Sequence, residues 1–224
     1  MIIAIDGPSG AGKSSVSKEV ARKLGFSCLD TGAMYRSIAW KALDEGIALD
    51  DEENVGAIAR DYEIEFVHEQ GDPQARGVLI GGTDVTSAIR TSEIDRAVGV
   101  VSALPEVRQA LVAQQQRIGA AGDYVVEGRD IGTVVFPDAQ LKVFLTASNE
   151  ERARRRVAQN IERGVGSTDF DEVLADIIRR DELDSSRAAS PLVAADDAVH
   201  IDSTSFTMEQ VIDQICELAR ERRA

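Results

Sequence analysis

Residues 7–14, Gly7-Pro8-Ser9-Gly10-Ala11-Gly12-Lys13-Ser14, form the stretch of sequence that decides the predicted fold. They match G-x-x-x-x-G-K-[ST], the pattern of a phosphate-binding loop. The apolar run at 2–5 predicts a buried strand before the loop, and apolar residues at helical spacing over 14–24 predict a helix after it. Glycines let such a loop turn its N–H groups towards a phosphate, and the helix N-terminus adds partial positive charge there. The sequence therefore predicts a site for a nucleoside triphosphate.

Two side chains of this loop have predicted chemical roles. Lys13 is expected to reach the β- and γ-phosphates of ATP, and the Ser14 hydroxyl is expected to ligate the Mg²⁺ ion that accompanies ATP. The predicted ATP-binding residues are the loop and the residue after it: Gly7, Pro8, Ser9, Gly10, Ala11, Gly12, Lys13, Ser14 and Ser15.

The remainder of the chain alternates short apolar runs with helical patterns, which predicts an α/β fold with a parallel sheet and helices on both faces. The further strands are expected at 26–29, 124–127, 141–145 and 199–201. Helices are expected at 33–45 and 105–118, after Ser148, around 170–178 and after Thr207. Capping boxes, Ser148 with Glu151 and Thr207 with Gln210, are expected to begin two of these helices.

The alternation is interrupted near residue 61. Apolar residues at every second position over 62–67, a turn-rich stretch at 70–74 and a second apolar run at 77–80 predict a β-hairpin. We interpret residues 61–97 as an inserted lobe within a single domain that spans residues 1–224.

Composition restricts the classes of partner. The chain has 224 residues and a net charge of −14, which disfavours binding to a polymeric nucleic acid. No apolar run approaches the roughly 18–20 residues of a membrane helix, and the N-terminus does not resemble a signal peptide. Cys28 and Cys216 match no metal or redox spacing. We therefore expect a soluble, cytoplasmic protein that associates with neither a membrane nor nucleic acid.

Clustered arginines point to a second anionic substrate, because guanidinium groups suit bidentate phosphate recognition. They occur at four places: Arg36, Arg129, the helix face Arg152, Arg155 and Arg156, and the stripe Arg180, Asp184 and Arg187. Each group alone is equally well explained as surface charge or as a helix salt bridge. Together, at predicted strand ends near one phosphate loop, they favour a cage for two polyanionic substrates.

Several longer stretches are more specific than the phosphate loop. LDTGAMYR, DVTSAIRT, PEVRQAL, VVEGRDIGTVVFPDA, FLTAS and RRDELDSSRAASPL, together with IDGPSGAGKSSVSK, resemble the bacterial cytidylate kinase family over essentially the whole chain. The hairpin is similar to the insertion in the long bacterial form. The resemblance implies a phosphate-loop core, a lobe that binds the nucleoside monophosphate (NMP) and a small lid at about 152–170. It also implies phosphoryl transfer from ATP to CMP or dCMP by a monomer.

The resemblance also assigns roles to individual residues. The implied catalytic residues are Lys13, Arg129, Arg152, Arg155 and Arg156, the last three beginning the lid over the ATP phosphates. The implied CMP-binding residues are Thr31, Arg36, Arg108, Arg129, Asp130, Arg180, Asp184 and Arg187. Among these, Arg36, Arg129 and Arg180 grip the phosphate, Asp184 with Arg180 holds the sugar, and Arg108, Asp130 and Arg187 read the cytosine edge.

Some alternatives stay open at the level of sequence. Gly99 stands where the family often has a serine that bonds the base, so Ser102 or a water substitutes, or the base selectivity is looser. Asp130 has a competing role in ordering the waters of the metal. Rival functions are a kinase for UMP, AMP or a non-nucleotide metabolite, and a nucleotide-binding protein without turnover.

Overall fold

The computed structural model describes residues 1–68, 72, 75–187 and 190–223. The chain divides into two compact units. The first consists of Met1–Leu29 and Asp123–Ala224, and the second of Asp30–Gly122.

The first unit is built on a five-stranded sheet. Its strands are β1 (Ile2–Asp6), β2 (Ser27–Asp30), β6 (Tyr124–Gly128), β7 (Leu141–Thr146) and β8 (Val199–Asp202). They lie in the order β2-β6-β1-β7-β8, and the pairings of β1 with β6 and β7, and of β7 with β8, are parallel. The central strand β1 therefore delivers the phosphate loop to the middle of the carboxyl edge, where ligands bind in open α/β sheets. The α/β prediction is confirmed, with each strand within a residue or two of its expected place.

Among the described residues of this unit, four helices and one π-helical turn accompany the sheet. They are α1 (Lys13–Leu24), α6 (Asn149–Arg163), α7 (Phe170–Ser185), α8 (Met208–Arg223) and the turn Ile131–Val135. Alternate residues of β1, Ile3 and Ile5, are fully buried in a core shared with the apolar faces of α1 and α8. Burial of each such side chain contributes about 1.5–3 kcal/mol to the stability of the fold.

The helix starts show how far the two capping boxes form. Thr207 accepts a hydrogen bond from the Gln210 N–H, and the Gln210 side chain accepts one from the Thr207 N–H, so this box is complete. Ser148 accepts from the Glu151 N–H, but the Glu151 carboxylate bonds Arg154 and Arg155 instead of the Ser148 N–H. Only half of the predicted box forms there, because the Ser148 N–H donates to the Thr204 hydroxyl while the arginines occupy the Glu151 carboxylate.

The second unit combines four helices with a small antiparallel sheet. Its elements are α2 (Thr31–Asp44), α3 (Glu52–Asp61), β3 (Ile64–His68), β4 (Ala75–Ile80), β5 (Thr83–Asp84), a 3₁₀ turn (Ala88–Arg90), α4 (Ser92–Val101) and α5 (Pro105–Gly119). The predicted hairpin is confirmed as β3 and β4, with Phe66 opposite Val78. Its predicted turn at 70–74 lies, apart from residue 72, outside the described residues.

The helices α3 and α4 were not predicted, although both carry start signals. Asp51 and Thr91 cap them by accepting hydrogen bonds from the N–H groups of Asn54 and Ile94. The packing of α3 against α5 encloses Gln114, whose amide donates to the carbonyls of Ala59 and Tyr62. Tertiary contacts thus satisfy carbonyls at the C-terminal end of α3, which hydrophobic spacing alone did not reveal.

In the part of the chain that the structure describes, no helix is both long enough and apolar enough to span a bilayer.

Candidate active site

The phosphate loop leaves β1 through a sharply constrained glycine. Gly7 has φ of 151°, and a Cβ atom there would lie 2.0 Å from the carbonyl oxygen of Leu145, so only glycine fits. Gly12, at φ 93°, caps α1 and has no side chain to occupy the first-turn N–H groups. These groups, with the helix dipole, suit a bound phosphate.

Lys13 lies inside the loop. Its Nζ donates to the carbonyl oxygens of Gly7 at 2.7 Å and Pro8 at 2.8 Å, and the residue is 7% exposed. An ammonium has three N–H donors, so these two bonds leave a third for a phosphate oxygen. Burial, reinforced by the nearby Arg129, lowers the pKa of Lys13 well below its usual value. Negative charge from a bound phosphate would oppose that shift.

Ser14 contacts a carboxylate that the sequence reasoning missed. Its hydroxyl donates to Glu127 Oε2 at 2.8 Å. Glu127 is 4% exposed and lies near the end of β6, the strand beside β1. The available signal in the sequence was an acidic residue at the carboxyl end of a predicted strand, two positions before Arg129.

Three arginines of α6 reach the phosphate loop. Arg152 donates to the Ser9 carbonyl at 2.9 Å, Arg155 to the Ala11 carbonyl at 3.4 Å, and Arg156 to the Ser9 hydroxyl at 3.3 Å. Positive charge is thereby concentrated at the loop of an otherwise acidic chain.

The same three arginines differ in how firmly they are held. Arg152 is only 2% exposed and also bonds Ala147, Asn149 and Asp181. Arg155 is bonded to Glu151 and Ser203, and Arg156 is half-buried. The remaining guanidinium surface of Arg155 and Arg156 is better placed to meet a ligand than that of Arg152.

A second cluster joins β6 to α7. Asp184, 2% exposed, accepts from Arg129 at 2.8 Å and is paired with Arg187. Arg129 also donates to the Gly7 carbonyl at 2.9 Å. Burial raises the pKa of Asp184, but Arg129 and Arg187 outweigh burial and hold it below its ordinary value. Arg180 adds to the positive field at this carboxylate.

The Asp184 cluster makes a prediction about stability and pH. Since the pKa of Asp184 is depressed in the folded state, its stabilising effect is present above the unfolded pKa and is lost as pH falls through the folded value. Asp184→Asn should therefore lower the free energy of unfolding at pH 7 by about 3 kcal/mol, the low end for a buried pair with partly exposed partners. Urea titrations at several pH values should show the difference from the wild type shrinking below about pH 4. A difference independent of pH would contradict the ionised cluster.

The second unit holds its own part of the predicted set. Thr31 begins α2 and is 3% exposed. Arg36, five residues later, forms an ion pair with Asp95 at 3.5 Å. Arg108 on α5 is 5% exposed, lies 5.6 Å from the centre of the Tyr35 ring and donates to the Ser102 carbonyl at 3.2 Å. The fold of the second unit therefore places Arg108 beside Ser102.

Gly99 lies in the interior of α4, where an added Cβ would meet no atom within 4 Å. The Ser102 hydroxyl donates to the Gly99 carbonyl at 3.3 Å. A serine at position 99 would therefore fit sterically, so its replacement by glycine here has no packing cause.

Asp130 and Asp6 are two further buried carboxylates, each 5% exposed. Asp130 immediately precedes the turn Ile131–Val135, and its backbone carbonyl accepts from Val134 and Val135. Asp6, which the sequence reasoning did not single out, accepts from the N–H groups of Ile131 and Gly132. Burial raises the pKa of Asp6 to about 6.

Comparison with known proteins identifies the family to which this chain belongs. The family model described as cytidylate kinase matches residues 3–221. The chain belongs to the cytidylate kinase family. A cytidylate kinase of Desulfitobacterium hafniense is 49% identical over 220 residues, covering 98% of this chain and 93% of the relative. A cytidylate kinase of Saccharophagus degradans is 46% identical over 223 residues, covering 100% and 98%.

Among solved structures, an uncharacterised protein of Eubacterium ventriosum aligns with a TM-score of 0.50 at 11% identity. The alignment covers 97% of this chain and 96% of that chain. At that identity, the likeness concerns the fold alone. Membership of the cytidylate kinase family makes this chain a kinase, a transferase that uses nucleotide substrates. The prediction of an enzyme of this family is therefore confirmed.

Proposed function

We propose that this cytidylate kinase family member transfers the γ-phosphoryl group of ATP to CMP or dCMP, giving ADP and CDP or dCDP. The observation that carries the proposal is the double contact of Arg129, which donates both to the Gly7 carbonyl of the phosphate loop and to Asp184 of α7. One guanidinium assigned to the acceptor phosphate thus touches the loop assigned to the donor. The names of the relatives support cytidine nucleotides as the acceptor class.

The loop and the α6 arginines are assigned to ATP. Lys13 and the loop N–H groups would bind the β- and γ-phosphates, and Arg155 and Arg156 would neutralise charge on the transferred group. We propose that residues 152–170 act as the lid. Arg152 would anchor the start of the lid, because it is bonded to Ser9 and Asp181. The exposed fraction rises from 2% at Arg152 to 64% at Ile161.

The residues present fit a Mg²⁺ ion that arrives with ATP. The Ser14 hydroxyl and the Glu127 carboxylate are oxygen ligands of the kind that Mg²⁺ prefers, and they lie at the loop. Within the described ranges, no group of three or more His, Cys, Asp or Glu side chains could hold a metal ion. We therefore assign most of the ligands to phosphate and water. When bound, the ion would neutralise charge on the phosphates.

We propose a role for each CMP-binding residue. Arg36, Arg129 and Arg180 would bind the phosphate, and Thr31 would contact the nucleotide. Asp184 with Arg180 would hold the sugar, and the base would be bound by Arg108, Asp130 and Arg187. Cytosine presents an amino donor beside two acceptors, which suits a carboxylate with guanidinium groups. Asp130 keeps its alternative role in ordering the waters of the metal.

The chemistry requires little from the protein beyond position and charge. The acceptor is a phosphate oxygen that is already largely ionised, so no general base is needed. In-line placement of the two nucleotides, with neutralisation by Lys13 and the arginines, would supply the rate enhancement. Lid closure would exclude water and so limit hydrolysis of ATP.

Incubation with γ-labelled ATP, Mg²⁺ and CMP tests the proposed reaction. We expect label to appear in CDP and ADP to form in equal amount. ATP binding without label transfer to CMP, dCMP or another acceptor would instead identify a binding protein without turnover, and would overturn the proposal.

Arg187 provides a separate prediction about the base. Arg187→Ala should raise KM for CMP by about 10–100-fold, the cost of one charge-assisted hydrogen bond, and change KM for ATP by less than about 2-fold. Steady-state kinetics with each substrate varied in turn measure both values. Arg179→Ala is the matched control, because Arg179 lies on α7, eight residues before Arg187, is 68% exposed at its side chain and pairs with Asp176. An equal rise in the two KM values would remove Arg187 from the base site.

A further inference from the structure

Asp6 is a buried carboxylate to which the proposed function gives no role. It is the last residue of β1, directly before Gly7, and is 5% exposed. Its Oδ1 accepts from the Ile131 N–H at 2.8 Å, and its Oδ2 accepts from the Gly132 N–H at 2.7 Å. The two oxygens are thus engaged by consecutive backbone donors of a single turn, across 125 residues of sequence.

The turn that Asp6 holds directly follows two of the residues assigned to CMP. Arg129 and Asp130 immediately precede Ile131–Val135. Gly132 packs closely, since an added Cβ would lie 3.1 Å from Lys142 Cδ and 3.4 Å from Asp6 Oδ2. The start of the turn therefore packs against both the Asp6 carboxylate and the Lys142 side chain.

We propose that Asp6 is a positioning residue for the acceptor nucleotide: its carboxylate fixes the start of the turn after β6 and thereby the orientation of Arg129 and Asp130. Asp6 touches neither substrate in this role. The inference rests on the proposed function, because it names those two side chains as CMP-binding.

The backbone of Asp6 does not depend on its carboxylate. In the sheet, Asp6 lies in register with Gly128 of β6 and Phe144 of β7. The loop after it is held by the bonds of Lys13 to Gly7 and Pro8 and of Arg152 to Ser9. Loss of the carboxylate should therefore disturb the turn and leave the ATP loop in place, which predicts separate effects on the two substrates.

Asp6→Asn is expected to fold. Burial disfavours the charged form of Asp6, which has a pKa raised to about 6, so the neutral amide avoids a desolvation cost while losing one acceptor. The amide has the same shape, but it offers only one acceptor oxygen, and its NH₂ group faces the other backbone N–H. The substitution thus removes one of the two hydrogen bonds that hold the start of the turn.

The test compares Asp6→Asn with Asp213→Asn, an exposed carboxylate on α8 that bonds Lys23. For Asp6→Asn we expect KM for CMP to rise at least about tenfold and KM for ATP to stay within about 2-fold. Hydrogen exchange at the Ile131 or Gly132 amide should be faster by about tenfold or more, with a urea midpoint close to that of the control.

Two results would overturn the inference. One is unchanged kinetics and unchanged exchange at both amides. The other is an equal rise of both KM values together with a lowered urea midpoint, which would make Asp6 merely structural. If the wild type fails to phosphorylate CMP, the proposed function fails separately. In that event the exchange rates at Ile131 and Gly132 still decide whether Asp6 anchors the turn.

Discussion

Lys13→Ala is expected to lower kcat by about 10³-fold, with the fold retained. Lys13 is the buried cation of the phosphate loop, and no other lysine lies in that loop to replace it. Removing a preorganised group that stabilises developing charge costs on the order of 10²–10³-fold, and a full positive charge in a water-excluded site lies at the upper end. Initial rates at saturating ATP and CMP measure the loss.

The matched control is Lys18→Ala, which removes a lysine from the same helix outside the loop. It should keep kcat within about 2-fold, because Lys18 is only half-buried and lies outside the loop. Urea unfolding of both variants separates catalytic loss from unfolding. A Lys13→Ala variant with near-normal turnover would refute the assignment of the loop to ATP.

Arg129→Ala is expected to lower kcat/KM for CMP by about 10³-fold. Its guanidinium joins the Gly7 carbonyl to Asp184, so the substitution removes the proposed phosphate ligand and the link between loop and α7 together. Arg129→Lys should recover little of this, because a single ammonium cannot reproduce the planar fork. Arg187 still pairs with Asp184, so the buried carboxylate keeps one cationic partner and the protein should still fold.

Kinetics with CMP and ATP varied separately, and a urea titration, check this expectation. Recovery of most activity by Arg129→Lys would show that charge alone matters at this position. Activity close to wild type in Arg129→Ala would exclude Arg129 from the acceptor site.

Much of the fold followed from local sequence signals. GPSGAGKS located β1 and α1, and the period-2 pattern around Phe66 located the hairpin. Short helices were missed where the signal was tertiary: α3 contains Gly56, and its packing against α5 involves the buried Gln114. Helical spacing over ten residues was too weak to compete with the neighbouring turn signals.

The candidate site was less completely predictable, because the residues that were not predicted make their contacts with residues distant in sequence. Glu127 meets Ser14 across 113 residues, and Asp6 meets Ile131 across 125. Neither belongs to a spacing pattern that a single sequence reveals. The arginines at 152–156 and 180–187 were found because they cluster along the chain. The tight bonding of Arg152 to Ser9 and Asp181 became visible only in three dimensions.

The most direct test of the proposed function is the initial rate of ADP formation with ATP and, in turn, CMP, dCMP, UMP and AMP. We predict that CMP or dCMP is phosphorylated with the highest kcat/KM, with UMP the nearest competitor because Gly99 provides no side chain to the base. A clearly higher kcat/KM for UMP or AMP than for both CMP and dCMP would contradict the proposed acceptor.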